Sequence, residues 1–288
     1  MKLTELIINN EVVIRLGFFF GVLGIMAMWE IITPRRTLSV SKSLRWMNNL
    51  VIVFLNTAIL RLIFPAAAVG MAALAETQGW GIFNHLKIPY WLAVIASVIM
   101  MDAVIYFQHV LVHSVPILWR LHRVHHADLD FDVTTGTRFH PIEIILSMLI
   151  KFAAIVVLGP PIVAVVIFEV LLNATSMFNH GNVRIPLGVD RVLRLFIVTP
   201  DMHRVHHSVE DDETNSNFGF NFPWWDRLFG TYRNQPRAGH EQMTIGITTF
   251  RDRQHCTWLP GMLALPFIGK ITNYTINRRQ WDDTQKNK

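Results

Sequence analysis

Long apolar stretches separated by short polar segments dominate the first 180 residues. Three of them cover about residues 12–32, 50–74 and 90–112. Each can supply the roughly 20 residues that a helix needs to cross the hydrocarbon of a bilayer. Two shorter stretches, residues 142–158 and 161–178, are joined by Gly159-Pro160-Pro161, where proline ends one helix and begins the next. The pattern predicts an all-α, integral membrane bundle of three long spans plus a short helical hairpin, and it leaves open whether the hairpin crosses fully.

Composition supports a membrane protein. Hydrophobic residues make up 51% of the chain and charged residues only 16%, well below the usual quarter in soluble domains. The net charge is +5, but no basic run interleaved with aromatic residues is present, so nucleic acid is not an expected partner. The single cysteine, Cys256, excludes an internal disulfide and a cysteine-held iron–sulfur cluster.

The loops predict an orientation. The segment after the first span carries Arg35, Arg36, Lys42 and Arg45 and no acidic residue, so the positive-inside rule assigns it to the cytoplasm. Counting spans forward from there predicts that every histidine cluster lies on the cytoplasmic face. We expect one domain over residues 1–288, with a signature region at 102–232 and a charged, disordered tail at 277–288.

Thirteen histidines are the anomaly of this composition, and most lie between residues 109 and 207. They form three clusters with helical spacing, and the pentapeptide His-Arg-Val-His-His occurs twice. A further histidine follows the hairpin directly. The predicted metal ligands are His109, His113, His122, His125, His126, His180, His203, His206 and His207.

The spacing within these clusters predicts two metal ions. Helical residues three or four apart share a face, so His109 and His113 can bind one ion. Neighbours such as His125 and His126 differ by about 100° around the helix and suit two different ions. Nine imidazoles also exceed the roughly six donors that one octahedral ion accepts.

Donor type does not decide which metal binds, because imidazole suits zinc, copper, iron and nickel. The His-Glu-x-x-His pattern of zinc proteases is absent, since Val110 follows His109. The Glu-x-x-His pairs of soluble carboxylate di-iron bundles are absent as well. A site of histidines at the membrane surface fits iron and oxygen chemistry on an apolar substrate.

Six motifs stand out around the histidines: Asp102-x-x-x-Tyr106-x-x-His109, Leu118-Trp119 before His122, the Arg138–Glu143 element, His203–Ser208, Asn217-Phe218-Gly219 and Trp224–Tyr232. Together they resemble the motifs of the fatty acid hydroxylase / sterol desaturase superfamily of membrane di-iron enzymes. The resemblance covers nearly half of the chain, and Val110 stands where many members carry arginine.

This resemblance implies a helical membrane fold with a cytoplasmic histidine-rich cap, two non-haem irons and molecular oxygen as co-substrate. The substrate would be a sterol, fatty acid, carotenoid or ether lipid, hydroxylated or desaturated. The chain has no flavin or nicotinamide fingerprint. Electrons would therefore come from a separate ferredoxin- or cytochrome b5-like protein.

Four residues are predicted to support the ligands from a second shell: Asp102, Tyr106, His140 and Asn179. Asp102 has the alternative of an ion pair with Arg61, because a charge inside a span needs a partner. His140 has the alternative of being a ligand itself. The isolated histidines His85, His240 and His255 receive no role.

Two other functions remain open from the residues alone. A metal transporter or sensor would also collect histidines, although transport sites lie near the bilayer midplane. A bis-histidine haem carrier would need only histidine pairs within spans.

The hairpin allows one structural prediction. Antiparallel folding brings Lys151 level with Glu169, so we expect the two side chains to form an ion pair. In the alternative arrangement, Lys151 reaches the surface and Glu169 lines a substrate or proton path.

Overall fold

The computed structural model describes residues 3–269, with side chains from residue 5. Within that range the chain forms α-helices, two 3-10 turns and three isolated β-bridges, but no strand, which confirms the all-helical prediction there. The predicted disordered tail lies outside the described residues. The helices are α1 (Leu3–Asn9), α2 (Glu11–Ile32), α3 (Lys42–Ile63), α4 (Ala67–Gln78), α5 (Ile82–His85), α6 (Tyr90–Ser114), α7 (Pro116–His126), α8 (Pro141–Leu158), α9 (Ile162–Asn179), α10 (Leu187–Leu193), α11 (Pro200–His206), α12 (Asp211–Thr214), α13 (Trp224–Phe229), α14 (Gly239–Gln242), α15 (Arg253–Thr257) and α16 (Leu259–Ala264).

Five segments among the described residues are long and apolar enough to cross a membrane: α2, the segment Lys42–His85, α6, α8 and α9. They coincide with the three long stretches and the hairpin of the sequence pattern. Large apolar side chains on these helices point away from the protein, for example Ile25 at 66% and Leu62 at 81% exposure. α8 and α9 have 18 residues each, about 27 Å of helix, against a hydrocarbon thickness of about 30 Å.

The second apolar stretch is not one continuous helix. α3 ends at Ile63 and α4 begins at Ala67, because Pro65 lacks a backbone N–H and disfavours helical geometry at Phe64. α4 then packs beside the hairpin. Its Ala68, Ala72 and Ala75 are fully buried in the main apolar core of the bundle, in contact with larger side chains of α6, α8 and α9.

The turn of the hairpin requires glycine. Gly159 ends α8 with a positive φ of 63° and lies against Gly81 in the α4–α5 connection. A Cβ on Gly81 would lie only 2.1 Å from the backbone nitrogen of Gly159. This close approach fixes the turn between α8 and α9 against the end of α4, and so helps to orient both hairpin helices.

The predicted ion pair of the hairpin is confirmed. Lys151 on α8 donates to Glu169 on α9, and both side chains are buried. Arg15 on α2 was not anticipated as a partner: its guanidinium lies 3.1 Å from the second carboxylate oxygen of Glu169. Three helices are therefore joined by charges inside the bundle, where an unpaired charge would be costly.

Candidate metal centre

Each copy of the His-Arg-Val-His-His pentapeptide lies at the end of a short helix that begins with proline. Pro116 starts α7 and Pro200 starts α11, at the first helical position, where no N–H is needed. The Thr199 side chain caps α11 by accepting from the backbone N–H of Met202 at 3.4 Å. α7 folds back against the end of α6, and α11 packs against α9, so the end of the bundle gathers histidines from four helices.

All nine predicted ligands come together, and they separate into two groups. We call them group one (His109, His113, His122, His126 and His206) and group two (His125, His180, His203 and His207). One nitrogen from each member lies within 4.8 Å of the others in its group. No member is more than 6% exposed. The neighbours His125 and His126 fall in different groups, as their rotation around the helix predicts, and so do His206 and His207.

Backbone carbonyls fix the tautomer of several rings. The Nδ1 atoms of His109, His206 and His180 lie 2.7–2.8 Å from the carbonyl oxygens of Phe218, Ser216 and Ser176 respectively. A carbonyl oxygen only accepts, so Nδ1 carries the proton in each case. The Nε2 atom then bears a lone pair, which is the arrangement that metal-binding histidines adopt.

The Nε2 atoms converge in a way that hydrogen bonding cannot satisfy. His180 Nε2 lies 3.1–3.2 Å from the Nε2 atoms of His125, His203 and His207. In group one, His206 Nε2 and His109 Nε2 are 2.9 Å apart, and both bear lone pairs. Ligands about 2.1 Å from one octahedral ion are themselves about 3 Å apart. The donor set therefore fits a metal ion in each group.

Burial keeps these rings neutral. For four histidines outside the spans, loss of hydration lowers the pKa well below 6.5, and neighbouring imidazoles lower it further: His125, His126, His203 and His207. Burial also lowers the pKa of His180 and of His206 to about 3. At neutral pH they are uncharged imidazoles, the form that binds metals.

A cavity of about 270 Å³ opens against both groups. His109 and His122 of group one and His125 and His203 of group two lie in its wall. The cavity extends from there between α2, α3, α6, α8 and α9 into the helix bundle. A molecule in it would thus contact both candidate metal positions at once.

Comparison with known proteins gives this arrangement a family. Residues 94–231 match the model of the fatty acid hydroxylase family. The match covers 138 of the 288 residues, a little under half of the chain. The matched region holds all nine histidines of the two groups, the hairpin and α13.

Curated relatives of the chain are named for different activities. The chain is 31% identical over 160 residues to the ornithine lipid hydroxylase OlsE of Rhizobium tropici, covering 56% of this chain and 47% of that protein. It is 28% identical over 187 residues to the alkylglycerol monooxygenase of Xenopus tropicalis, covering 62% and 40%. A very-long-chain aldehyde decarbonylase of Oryza sativa subsp. indica is 26% identical over 193 residues, covering 62% and 71%. The chain thus spans about half or less of the first two relatives, and no solved structure matches it.

Glu143 also belongs to the site, although it was not among the residues predicted from the sequence to support the ligands. Its Oε1 atom lies 2.6 Å from His122 Nδ1, and both residues are buried. A carboxylate that accepts from the ring opposite the metal orients the ring and raises its basicity. The signal was available in the sequence, since Glu143 ends the Arg138–Glu143 element.

The predicted supporting residues act mostly through the segment that follows α12. Asp102 accepts from the backbone N–H groups of Asn221 (3.2 Å) and Phe222 (3.3 Å) and from the indole of Trp225 (2.8 Å). Arg61 is not its partner, since the Arg61 guanidinium is exposed and lies 3.5 Å from the Pro65 carbonyl. Asp102 therefore positions the segment whose Phe218 and Ser216 carbonyls hold His109 and His206.

Of the other three predicted supporting residues, two hold the segment that follows α12 and the third caps α8. The Tyr106 hydroxyl lies 2.9 Å from the Thr231 hydroxyl, and Asn179 donates to the Phe220 carbonyl at 3.1 Å. Both contacts hold the segment that follows α12, which Asp102 also holds. His140 instead caps α8, where its Nδ1 accepts from the Ile142 N–H, and its Nε2 faces the Leu263 carbonyl at 3.3 Å. These contacts place His140 at the start of α8 and outside both histidine groups.

A buried ion network supports the hydroxylase region from the side of α3. The Arg45 guanidinium forms two bonds with Asp128, at 2.8 and 2.7 Å, and one with Asp132 at 2.5 Å. All three side chains are inaccessible to solvent. Burial alone would raise the pKa of Asp128, but Arg45 and Arg138 outweigh it and hold that pKa below its ordinary range. The network fixes the loop that directly follows His125 and His126.

Proposed function

We propose that this protein is a membrane-bound, non-haem di-iron oxygenase that hydroxylates or desaturates a lipid with molecular oxygen. The observation that carries the proposal is the cavity, because its wall contains members of both histidine groups and continues between candidate membrane-spanning helices. A lipid chain in that cavity would reach both metal positions from the bilayer side. A transport site would instead lie near the bilayer midplane.

The nine histidines would hold the metal, with His109, His113, His122, His126 and His206 around one iron and the remaining four around the other. Bound iron would supply the activation of oxygen that no side chain can provide. The chain's own residues keep the lone pairs directed inward: the Phe218 and Ser216 carbonyls do so for His109 and His206, and Glu143 does so for His122.

The surrounding residues would also control water and substrate. The histidines are buried under the segment that Asp102 and Asp226 hold, and Asp226 accepts from the N–H groups of Phe218 (2.7 Å) and Gly219 (2.8 Å). Exclusion of water protects the reacting carbon from side reactions. Hydroxylation of a C–H bond with release of water consumes a pair of electrons and a pair of protons, which a separate ferredoxin- or cytochrome b5-like protein would deliver.

The orientation of the chain is part of the proposal. The basic loop before α3 contacts the histidine-bearing end, since Arg35 lies 3.3 Å from Asp201 and Arg36 donates to the Met243 carbonyl at 2.7 Å. By the positive-inside rule this end would face the cytoplasm. A reporter fused after Lys288 should therefore read cytoplasmic, and one inserted after Gln78 should read external. The reverse pattern in intact cells would contradict the cytoplasmic active site.

The activity itself has a direct test. Iron-loaded protein in lipid nanodiscs, supplied with a reduced ferredoxin or cytochrome b5 and heavy-isotope oxygen, should form an oxidised lipid. Mass spectrometry should find a labelled hydroxyl group or a new double bond, with no product from iron-free protein. Iron-loaded protein that consumes no oxygen with any lipid class present would count against an oxygenase.

A further inference from the structure

The cavity continues from the histidines to a group of charges deep in the bundle. On α9 its wall contains Ser176, Asn173 and Glu169, which share one helical face. Glu169 precedes His180 by eleven positions, about 16 Å along a helix. Ser147 and Lys151 form the matching wall on α8. The cavity is therefore polar along one side, between helices that are long and apolar enough to span a membrane.

The charged end consists of Glu11, Arg15, Lys151 and Glu169, which we call the ion cluster. Arg15 bonds Glu11 at 2.7 Å and Glu169 at 3.1 Å, and Lys151 takes the other oxygen of Glu169. Two cations thus balance two carboxylates. Both oxygens of Glu169 are used, whereas the Lys151 ammonium has three donors and gives one of them to Glu169. The cluster can therefore donate to a further acceptor without a change in its net charge.

Between the histidines and the ion cluster, the cavity wall contains polar as well as apolar side chains. Gln108 and Ser147 bond each other across it, with the Gln108 Nε2 atom 3.1 Å from the Ser147 hydroxyl. Asn56 donates to the Phe139 carbonyl at 2.9 Å, while its Oδ1 atom has no hydrogen-bond partner among the described residues. Gln108 and Ser147 satisfy each other, so the wall tolerates a polar ligand group passing along it, and the Asn56 Oδ1 atom can accept from an N–H or O–H of such a ligand.

We propose that the ion cluster binds the carbonyl group of an acyl-linked lipid, an ester or an amide, through Lys151. An oxygen acceptor matches the remaining donors of the ammonium group. A free carboxylate or a phosphate would add an unbalanced charge to a neutral cluster in a low dielectric. An ether oxygen is a weaker acceptor than a carbonyl. This inference rests on the proposed function, because it identifies the bound lipid as the one that the histidine end oxidises.

Binding can be measured without iron, so the test does not depend on activity. Metal-free protein in nanodiscs is incubated with three diazirine-bearing probes of equal chain length: a methyl ester, the corresponding methyl ether and the free acid. Photo-crosslinking to peptides of the cavity wall reports occupancy. We expect the ester to bind at least about tenfold more tightly than the ether, the effect of one hydrogen bond to a charged donor, and the acid to bind more weakly than the ester.

A paired variant assigns the preference to the cluster. Lys151→Met with Glu169→Gln removes both charges together, so neither partner remains unpaired. Its ester affinity should fall about tenfold, to the level of the ether, while its ether affinity stays unchanged. Lys87→Met is the matched control, because Lys87 is exposed and does not belong to the cavity wall. That control should retain the ester preference.

The outcomes separate this inference from the proposed function. Equal binding of ester and ether by the unmodified protein, or tightest binding of the acid, overturns the inference even if the protein oxidises lipids. An ester preference that the paired variant abolishes supports the inference even if no oxidation is detected, and in that case the oxygenase proposal fails instead. If the paired variant does not fold, the three probes on unmodified protein decide the question.

Discussion

His206→Ala should strip iron from the protein and abolish lipid oxidation. His206 contributes an inward Nε2 to group one, and the Ser216 carbonyl holds its other nitrogen. Loss of residues that merely support metal ligands already costs about 10- to 100-fold in metal affinity or activity, and loss of a ligand should cost at least as much. We expect about two irons per chain in the unmodified protein and one or fewer in the variant, by metal analysis of purified samples.

The control for this change is His255→Ala. The His255 imidazole is 45% exposed, pairs with Asp252 and belongs to neither group. Its replacement should leave iron content and oxidation rate unchanged. A His206→Ala protein with full iron and full activity would refute the ligand assignment. Zinc in place of iron would not, because overexpressed metal sites often acquire another ion.

Arg45→Met should destabilise the protein by about 3–5 kcal/mol, since it leaves the buried carboxylates of Asp128 and Asp132 without their cation. Arg184→Met is the matched control. The Arg184 side chain is 59% exposed and pairs with Glu241, which is 56% exposed, so its loss should cost at most about 1 kcal/mol. Denaturant titration in detergent micelles measures both free energies of unfolding.

The pairing of Arg45 with Asp128 can be isolated by adding Asp128→Asn. The double variant should lose less stability than the sum of the two single losses, because each single change leaves the other charge uncompensated. Strict additivity would contradict the network. The low pKa of Asp128 in the folded state means that its contribution is present at neutral pH and is lost as the pH falls below about 4, toward the folded pKa.

The hydropathy pattern was sufficient for the helical class and for the positions of the candidate spans, because each span is a continuous apolar run whose length is set by the bilayer. The hairpin pair of Lys151 and Glu169 also followed from the sequence, since the Gly159-Pro160 turn leaves little freedom in the register of two antiparallel helices. The interruption at Pro65 lay within the predicted second span. Pro65 itself marks the break in the sequence, but the apolar residues on both sides of it led to the prediction of one continuous span.

The sequence also predicted which histidines take part and that neighbouring histidines bind different ions. Helical spacing assigned His125 and His126 to different faces, and the structure separates them into two groups for that reason. By contrast, the partners that orient the rings could not be predicted from the sequence. The Phe218 and Ser216 carbonyls are backbone atoms that every residue possesses, so nothing in the sequence marks them as acceptors.

Long-range placement was decided by tertiary structure alone. Arg45 and Asp128 are 83 positions apart, Arg15 and Glu169 are further apart still, and neither pairing follows from spacing or from a turn. The cavity depends on how five helices pack, so its polar wall and its charged end have no counterpart in any local pattern. The sequence therefore determined the candidate ligands and the membrane-spanning elements, because helix geometry and bilayer thickness act locally. Only the packed bundle decided what orients the ligands and what the cavity can bind, because those contacts join residues that no local rule connects.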